Sequence, residues 1–539
     1  MNKLAHYLQE HLRGEVIVSE SVRNKYATDA SIFEQMPSLV AYPMDEGDIR
    51  KTARFAWQLA ERGRIIPITA RGGGSDFSGG AIGAGVMLVT PVHMNKILEF
   101  DSKSGFVVVE PGINYAKLQQ TLHTHGRFLP AYPASLEYST IGGAVANNSS
   151  GELSVKYGDT KKYVNSLRVV LANGEVIDTK RLSKRELSKK MGLSSFEGEI
   201  YRNLDALIEE NHDLINNFKP TWTKNVSGYD IFSVKNKDGS FDLTPLIVGA
   251  QGTLGVISEV TMTTADYNPE TSLVAVYLHD FSNTEKVIKD ILKLKPSAFE
   301  VVDKYSIERV VKQSPNYLKG SLPSRLPELV LLIEFDDSVK QQAKNVKKTA
   351  KILDGLQIEY RVETEEIERQ NLWKLRRSVG SVHLHNDSLT APLPLVDDGV
   401  VGIERLEEYF NGVYQILEKH GLQIAVWGHI GEGNLHMQPL LNIGQLGDRQ
   451  KIFRLMKEYH DLVLSLGGSI TGEYNDGRLR GPYVRQQFGD EIYELFMKVK
   501  AIFDPYFILN PKVKIDVKNE DTLPLLRSEY SIDQHVPRS

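Results

Sequence analysis

Apolar and polar positions along this chain follow two periods, and their balance shifts partway through. Residues 46–62 ("EGDIRKTARFAWQLAER") put Ile49, Ala53, Ala56, Trp57 and Ala60 on one stripe of a helix. The β-branched run "IIPITA" reads as a short strand leading into the glycine-dense loop "RGGGSDFSGG". "VMLVTP", "FVVVEPG", "LRVVLANGEVID" and "LIVGAQGTLGVISEVTMT" also read as strands. Strands and glycine turns outnumber helices here. This predicts a first α+β domain over residues 1–266, opened by an N-terminal helical segment.

Residues 181–219 are highly charged and helical in pattern, and read as an insertion in that domain. From residue 267 the texture changes. "TSLVAVYLHDF", "LVLLIEF" and "GLQIAVWGHI" read as strands. "NTEKVIKDILKL", "VKQQAKNVKKTAKILDGL" and "GIERLEEYFNGVYQILEKHG" read as helices. The alternation predicts a second α+β domain over 267–482. A further helix is predicted over 483–505, within a C-terminal segment 483–517. Residues 518–539 read as a polar tail, expected to be poorly ordered.

At 539 residues the chain exceeds what one core holds, in agreement with two domains. Its formal charge of −5 sets up no strong field for nucleic acid or an anionic membrane. There is no cysteine, which excludes disulfides, thiolate catalysis and any cysteine-ligated zinc or iron–sulfur cluster in this chain. The first residues carry charges throughout and lack the apolar core of a signal peptide. No run of about 18 apolar residues occurs, so no transmembrane helix is expected. The expected location is the cytoplasm, with peripheral contact at the inner face of the membrane left open.

Three glycine-rich clusters stand out: residues 70–80, 132–152 and 248–260. After a strand, such a loop either makes a tight turn or brings backbone N–H groups against a pyrophosphate. No G-x-G-x-x-G string and no P-loop Gly-Lys-Ser/Thr occurs, which argues against those two nucleotide-binding motifs.

Taken in order, Arg71-Gly72-Gly73-Gly74, Thr140-Ile141-Gly142-Gly143, Lys156-Tyr157-Gly158, Asn225-Val226-Ser227-Gly228-Tyr229 and Gly252-Thr253-Leu254-Gly255 resemble the FAD-linked oxidases of the vanillyl-alcohol-oxidase/PCMH type. Within that family the chain looks like the D-lactate, glycolate and D-2-hydroxyglutarate dehydrogenases. The resemblance runs from Tyr26 to Pro511. It implies an α+β fold: a PCMH-type FAD-binding domain, an α+β substrate (cap) domain with an antiparallel sheet, and a C-terminal helical segment returning to the FAD domain. It implies non-covalent FAD, since no histidine or cysteine stands in the glycine loops. The flavin contacts it implies are Arg71, Gly72, Gly73, Gly74, Ser75, Asp76, Ser135, Thr140, Gly142, Gly143, Asn147, Asn148, Gly151, Val256 and Asn510. Gln251 departs from the family, where a glutamate commonly precedes Gly-Thr-Leu-Gly.

"VWGHIGEGNLHMQP" (426–439) holds His429 and His436 around a six-residue turn, "IGEGNL". A hairpin of that length sets the two imidazoles opposite each other, either to share a divalent ion or merely to hydrogen-bond. The motif resembles the family's Gly-His-x-Gly-Asp-Gly-Asn-x-His, whose histidines bind zinc or a similar ion. By that resemblance His429, His436 and Glu473 are metal ligands; manganese and iron are alternatives to zinc. Glu432 replaces the usual aspartate.

Oxidising a 2-hydroxy acid needs a hydride acceptor, a proton acceptor and an anchor for the carboxylate. "NLWKLRRSVG" resembles the family's Leu-Trp-x-x-Arg, which assigns Arg376 to the substrate carboxylate through a bidentate contact. Gln438 and Arg478 are further candidates to touch substrate. The family's base is a histidine after the metal-ligand glutamate; here that residue is Tyr474. A phenol with an ordinary pKa near 10 is a poor base unless its neighbours lower that value. Three readings stand: a dehydrogenase using Tyr474 or metal-assisted alkoxide formation, one with a shifted substrate, and a flavin-binding subunit or scaffold without catalysis. Asp-Gly-Arg-x-Arg resembles the branch usually fused to an iron–sulfur domain. The expected electron acceptor is therefore a separate partner: a quinone, a cytochrome or an iron–sulfur protein. A homodimer is left open.

Overall fold

The computed structural model describes residues 3–218, 220–382, 390–422 and 424–531. The first domain rests on two sheets. In one, Leu39–Tyr42, Val86–Val89 and Ile68–Arg71 run parallel, with Glu15–Ile17 antiparallel at the edge. The other is antiparallel, in the order Ile97–Asp101, Phe106–Val109, Val256–Thr263, Val164–Val170, Val176–Thr179. The predicted first helix is Glu46–Ala60, capped by Asp45, which accepts a hydrogen bond from the Asp48 N–H. Ile49, Ala53, Ala56 and Ala60 lie in the core under the parallel sheet. Trp57 sits at the rim of that stripe, its ring against Phe196 and Tyr506.

Two strand expectations shorten. "LRVVLANGEVID" is two strands, folded back at Gly174, whose φ of 82° only glycine adopts freely. "LIVGAQGTLGVISEVTMT" begins as a helical turn, Thr244–Ile247. Gly249, Gln251 and Gly252 at positive φ then break it, and the strand starts only at Val256. The charged insertion forms the helices Lys184–Met191, Phe196–Glu210 and His212–Asn217. It is anchored in the main core by Ile200, Tyr201 and Leu204.

The second domain is a seven-stranded antiparallel sheet in the order Glu359–Glu363, Ser272–Leu278, Leu329–Phe335, Ala298–Asp303, Ile424–His429, Asn434–Leu441, Ala391–Pro392. Helices cover both faces. Val274, Val276 and Leu278 pack with Val287, Ile291 and Leu353; Leu273, Ala275 and Tyr277 pack with Ile307, Val310, Leu372 and Trp373. That double burial is why "TSLVAVYL" is continuously apolar rather than alternating. The C-terminal helix Val484–Phe503, broken at Gly489 (φ 78°), packs on the insertion of the first domain. Ile508 and Asn510 then join the parallel sheet beside Ile68.

The tail corrects an expectation. Leu526 pairs with Phe33, Arg527 Nε donates to the Phe33 carbonyl at 3.0 Å, and the Tyr530 hydroxyl donates to Ala30 O at 2.8 Å. Buried apolar and aromatic side chains order this segment to residue 531 despite its polar composition; 532–539 lie outside the described residues. Among the described residues no helix is long and apolar enough to cross a membrane.

Candidate functional site

The glycine clusters face one another across a cleft. Its walls include Arg71, Gly72, Gly73, Gly74, Ser75 and Asp76 on one loop, Ser135, Thr140, Gly142, Gly143 and Asn147 on another, and Gln251 and Ile257 on a third. The loops pack so closely that a Cβ on Gly73 would stand 2.0 Å from the Tyr138 carbonyl oxygen. The loop is thus glycine for its own packing as well as for backbone access. Asp76 accepts hydrogen bonds from Gly80 N–H, Ser78 and Asn147. Burial and the neighbouring Asp29 carboxylate push its pKa up to about 6.

Four residues of the predicted flavin set do not line the cleft. Asn148, at φ 52°, spends its amide on Asp159 and the Lys161 N–H. Gly151 is packed on the Tyr132 carbonyl, and Val256 points into the core. Asn510 clamps two loops from behind, donating to Gly80 O and Gln251 O at 2.8 Å each. Gln251, where the family carries glutamate, does line the cleft. Its Oε1 accepts the Gly477 N–H at 2.8 Å, and its Nε2 donates to Ser78 Oγ and Asn147 Oδ1.

At the edge of the cleft lie His429, His436 and Glu473, one ligand atom of each within 4.8 Å of the others. The hairpin is tighter than expected, because pairing runs up to His429 and Asn434 and leaves a four-residue connection. His436 therefore sits opposite Trp427, and the two histidines are diagonal neighbours on one face, rings 5.2 Å apart. Glu473 Oε1 lies 3.3 Å from His429 Nε2 and 3.0 Å from His436 Nε2. The opposite ring nitrogens are held by carboxylates: His429 Nδ1 to Glu300 at 2.7 Å and His436 Nδ1 to Asp397 at 3.0 Å. An Nδ1–H donated to a carboxylate leaves the Nε2 lone pair for a cation. Two nitrogens and one oxygen at this spacing fit a divalent ion with further positions open. Burial works against a charged His436, but Asp397 and Glu473 outweigh it and raise its pKa to about 9 in the metal-free protein.

The loop 471–480 delivers Glu473 by being bonded along its length. Asp398, buried and at φ 71°, accepts the backbone N–H of Glu473 and Tyr474. Asn475 Nδ2 donates to Asn147 O and Gly249 O. Lys514 and the Gly228 N–H hold Asp476. Glu473 Oε2 turns away from the histidines toward Ser150 (3.1 Å) and Lys224 (3.6 Å). Lys224 also meets Glu432 and Asn434. It precedes the Asn225–Tyr229 motif directly, which is the one signal for it in the sequence.

Other predicted roles change. Arg376 is buried and adjacent to the site, but its Nε is engaged by Glu300 at 2.7 Å. Gln438 donates to Asp397 at 3.0 Å, the carboxylate that holds His436, and does not line the cleft. Arg478 faces the first glycine loop, bonded to Gly79 O and to Gln35 Oε1 at 3.1 Å, and does not line the cleft. Tyr474 is half-buried on the cleft wall. Burial, with Asp397, Glu473 and Asp398 nearby, raises its pKa well above the usual phenol value. Without an ion at the His₂Glu group, those neighbours favour a neutral phenol. Glu300 and Asp397 were not legible as site residues.

Residues 37–180 match the family described as FAD binding domain, and residues 268–513 match FAD linked oxidases, C-terminal domain. The chain belongs to the FAD-linked oxidases. It is similar to D-2-hydroxyglutarate dehydrogenase of Escherichia coli (strain K12), 28% identical over 529 residues, covering 95% of this chain and 51% of that protein. The chain thus spans about half the length of that relative. It is also similar to glycolate oxidase subunit GlcD of Bacillus subtilis (strain 168), 28% identical over 502 residues and 92% of each chain. Among solved structures, 4-ethylphenol oxidase from Gulosibacter chungangensis superimposes with a TM-score of 0.69 at 17% identity, covering 96% of this chain and 97% of that one. That likeness concerns the fold.

Proposed function

We propose that this chain oxidises a 2-hydroxy acid, using non-covalent FAD and a divalent ion, zinc being the first choice. The observation that carries the reading is that Glu473 belongs both to the cleft wall and to the His₂Glu group. A substrate bound there lies between the flavin loops and the metal ligands. FAD supplies a two-electron acceptor when bound, and the ion supplies positive charge beside the hydroxyl and carboxylate oxygens.

The residues of the chain do the rest. Arg71–Asp76, Ser135, Thr140–Gly143, Asn147 and Gln251 hold the flavin. His429, His436 and Glu473 hold the ion. The guanidinium of Arg376 anchors the substrate carboxylate with the N–H groups not engaged by Glu300. Tyr474, kept neutral, donates a hydrogen bond to a substrate oxygen and closes the cleft beside Phe77, whose ring lies 5.2 Å away. The names of the relatives point to D-2-hydroxyglutarate, glycolate and D-lactate as substrate types. A quinone, a cytochrome or an iron–sulfur centre takes the electrons onward.

The test is anaerobic bleaching of the flavin spectrum across a panel of D- and L-2-hydroxy acids. Bleaching by one enantiomeric series supports the reading; a flavin that stays oxidised with every acid overturns it. Metal analysis gives the second arm. About one ion per chain, with activity lost on chelation and restored by the ion, is expected. Full activity in a metal-free preparation removes the ion from the proposal.

A further inference from the structure

Glu300 is a buried carboxylate that touches two of the site's functional side chains. It stands on the central strand Ala298–Asp303, 1% exposed, and each of its oxygens has a different partner. Oε1 accepts from His429 Nδ1 at 2.7 Å. Oε2 accepts from Arg376 Nε at 2.7 Å. His429 is a ligand of the metal group, and Arg376 is the anchor assigned to the substrate carboxylate. The two sit on separate elements, the strand Ile424–His429 and the helix Glu366–Val382. Glu300 bridges their positions through these two hydrogen bonds, on a strand that pairs with the histidine's own strand at Val301–Gly428 and Val302–Trp427.

Asp397 supplies a contrast within the same site. It holds His436 Nδ1 at 3.0 Å with one oxygen and Gln438 Nε2 at 3.0 Å with the other. Among the described residues no arginine side chain is bonded to its carboxylate; Arg480 reaches its backbone carbonyl instead. The two imidazoles thus have matching supports, and only one of those supports also fixes a guanidinium.

We infer that Glu300 is a positioning residue shared by the metal centre and the carboxylate anchor, setting the distance between the ion and Arg376. A 2-hydroxy acid presents its hydroxyl and carboxylate on adjacent carbons, so it needs a cation for each at a fixed separation. One carboxylate that grips His429 with one oxygen and Arg376 with the other sets that separation through a single rigid strand. Removing its charge loosens both grips: His429 loses the support that aims its Nε2, and Arg376 loses the partner that fixes its planar fork. This inference rests on the 2-hydroxy-acid reading for the role of Arg376, but the metal arm does not.

The experiment compares Glu300→Gln with Asp397→Asn in the FAD-loaded protein. Each is stripped with chelator and titrated with zinc by calorimetry, then assayed at saturating zinc. Both variants are expected to bind zinc roughly 10- to 100-fold more weakly than the unaltered protein. At saturating zinc the two separate. Asp397→Asn recovers its KM for the hydroxy acid, while Glu300→Gln keeps a KM raised at least about tenfold. Unchanged zinc affinity in Glu300→Gln overturns the inference, as does a KM that recovers fully when zinc is saturating. If Glu300→Gln does not fold, Arg376→Gln takes its place in the calorimeter. Releasing Glu300 from the guanidinium is expected to shift zinc affinity by at least about threefold, and no shift overturns the shared role. Failure of the functional reading looks different: no acid bleaches the flavin, while zinc titration still reports on Glu300.

Discussion

Tyr474 lies face to face with His436, ring centroids 4.8 Å apart and planes 20° from parallel. The phenol is thereby held over the His436 imidazole, with Phe77 on another side and the Arg480 guanidinium 5.9 Å from its ring. Three carboxylates nearby oppose its ionisation. Tyr474→Phe keeps the stack and removes only the hydroxyl. Turnover is expected to fall by less than about tenfold, the scale of one lost neutral hydrogen bond. A loss of about 10²- to 10⁴-fold in steady-state kcat, the range of a deleted general base, would restore the phenol to that role.

Gln251 marks where family likeness and local structure disagree. A glutamate at this position is common in the family, yet here both amide hydrogens are used, on Ser78 and Asn147. Both of those residues also donate to Asp76. Gln251→Glu removes two donors and adds a second carboxylate to the network of one that burial already disfavours. Weaker FAD binding is expected, by about 2 kcal/mol or roughly 30-fold in Kd. Equal or tighter FAD retention on dilution, followed by flavin fluorescence, would show that the network repacks around the charge.

Arg478 separates a substrate role from an architectural one. Its guanidinium joins the 471–480 loop to Gly79 O and Gln35 while its backbone N–H donates to Ser78 O at 2.8 Å. Burial lowers its pKa to about 10, with Asp29 and Asp76 partly offsetting that cost. Arg478→Leu is expected to lower stability by about 3 kcal/mol, through buried acceptors left unpaired, and to loosen FAD. KM for the hydroxy acid in FAD-saturated protein should stay within about twofold. A KM raised tenfold with Tm unchanged would return Arg478 to the substrate.

These cases mark how far the sequence reaches. The histidine pair was legible because both imidazoles sit on one hairpin, where strand period and turn length fix their side. Even so the register was misjudged: pairing at His429–Asn434 turned opposite neighbours into diagonal ones. Glu473 came from a motif 37 residues beyond His436, through likeness rather than spacing. Glu300 and Asp397 had no such mark. Glu300 lies on "AFEVVD", a buried strand with no alternation to announce it, and meets His429 only through sheet pairing across 129 residues. Asp397 is one of two adjacent aspartates whose separate tasks depend on Asp398 adopting a positive φ. Charged groups such as Arg478 were read as facing substrate because charge in a loop suggests solvent or ligand. The loop is instead buried between domains, and its two arginines are spent largely on backbone carbonyls.

His460 carries a consequence for stability rather than chemistry. It is fully buried on the helix Leu446–Ser465, against the Tyr483 ring at 4.3 Å, and among the described residues neither ring nitrogen has a hydrogen-bond partner. Burial, reinforced by the Arg480 charge, drops its pKa to about 3. The unfolded chain takes up this proton near pH 6.5. Between those two values the unfolded state binds more protons than the folded one, so stability rises with pH. The imidazole therefore costs nothing by titration above about pH 6.5, and about 1.4 kcal/mol for each pH unit below it down to its folded pKa. His460→Leu removes two unpartnered nitrogens and the titration together. It is expected to stabilise the protein by about 1 kcal/mol at pH 7.5, and by more at pH 5. Thermal unfolding of both proteins at the two pH values measures this. The gap in Tm should widen toward acid; a gap of constant size would mean that His460 is protonated, or solvated by buried water, in the folded state.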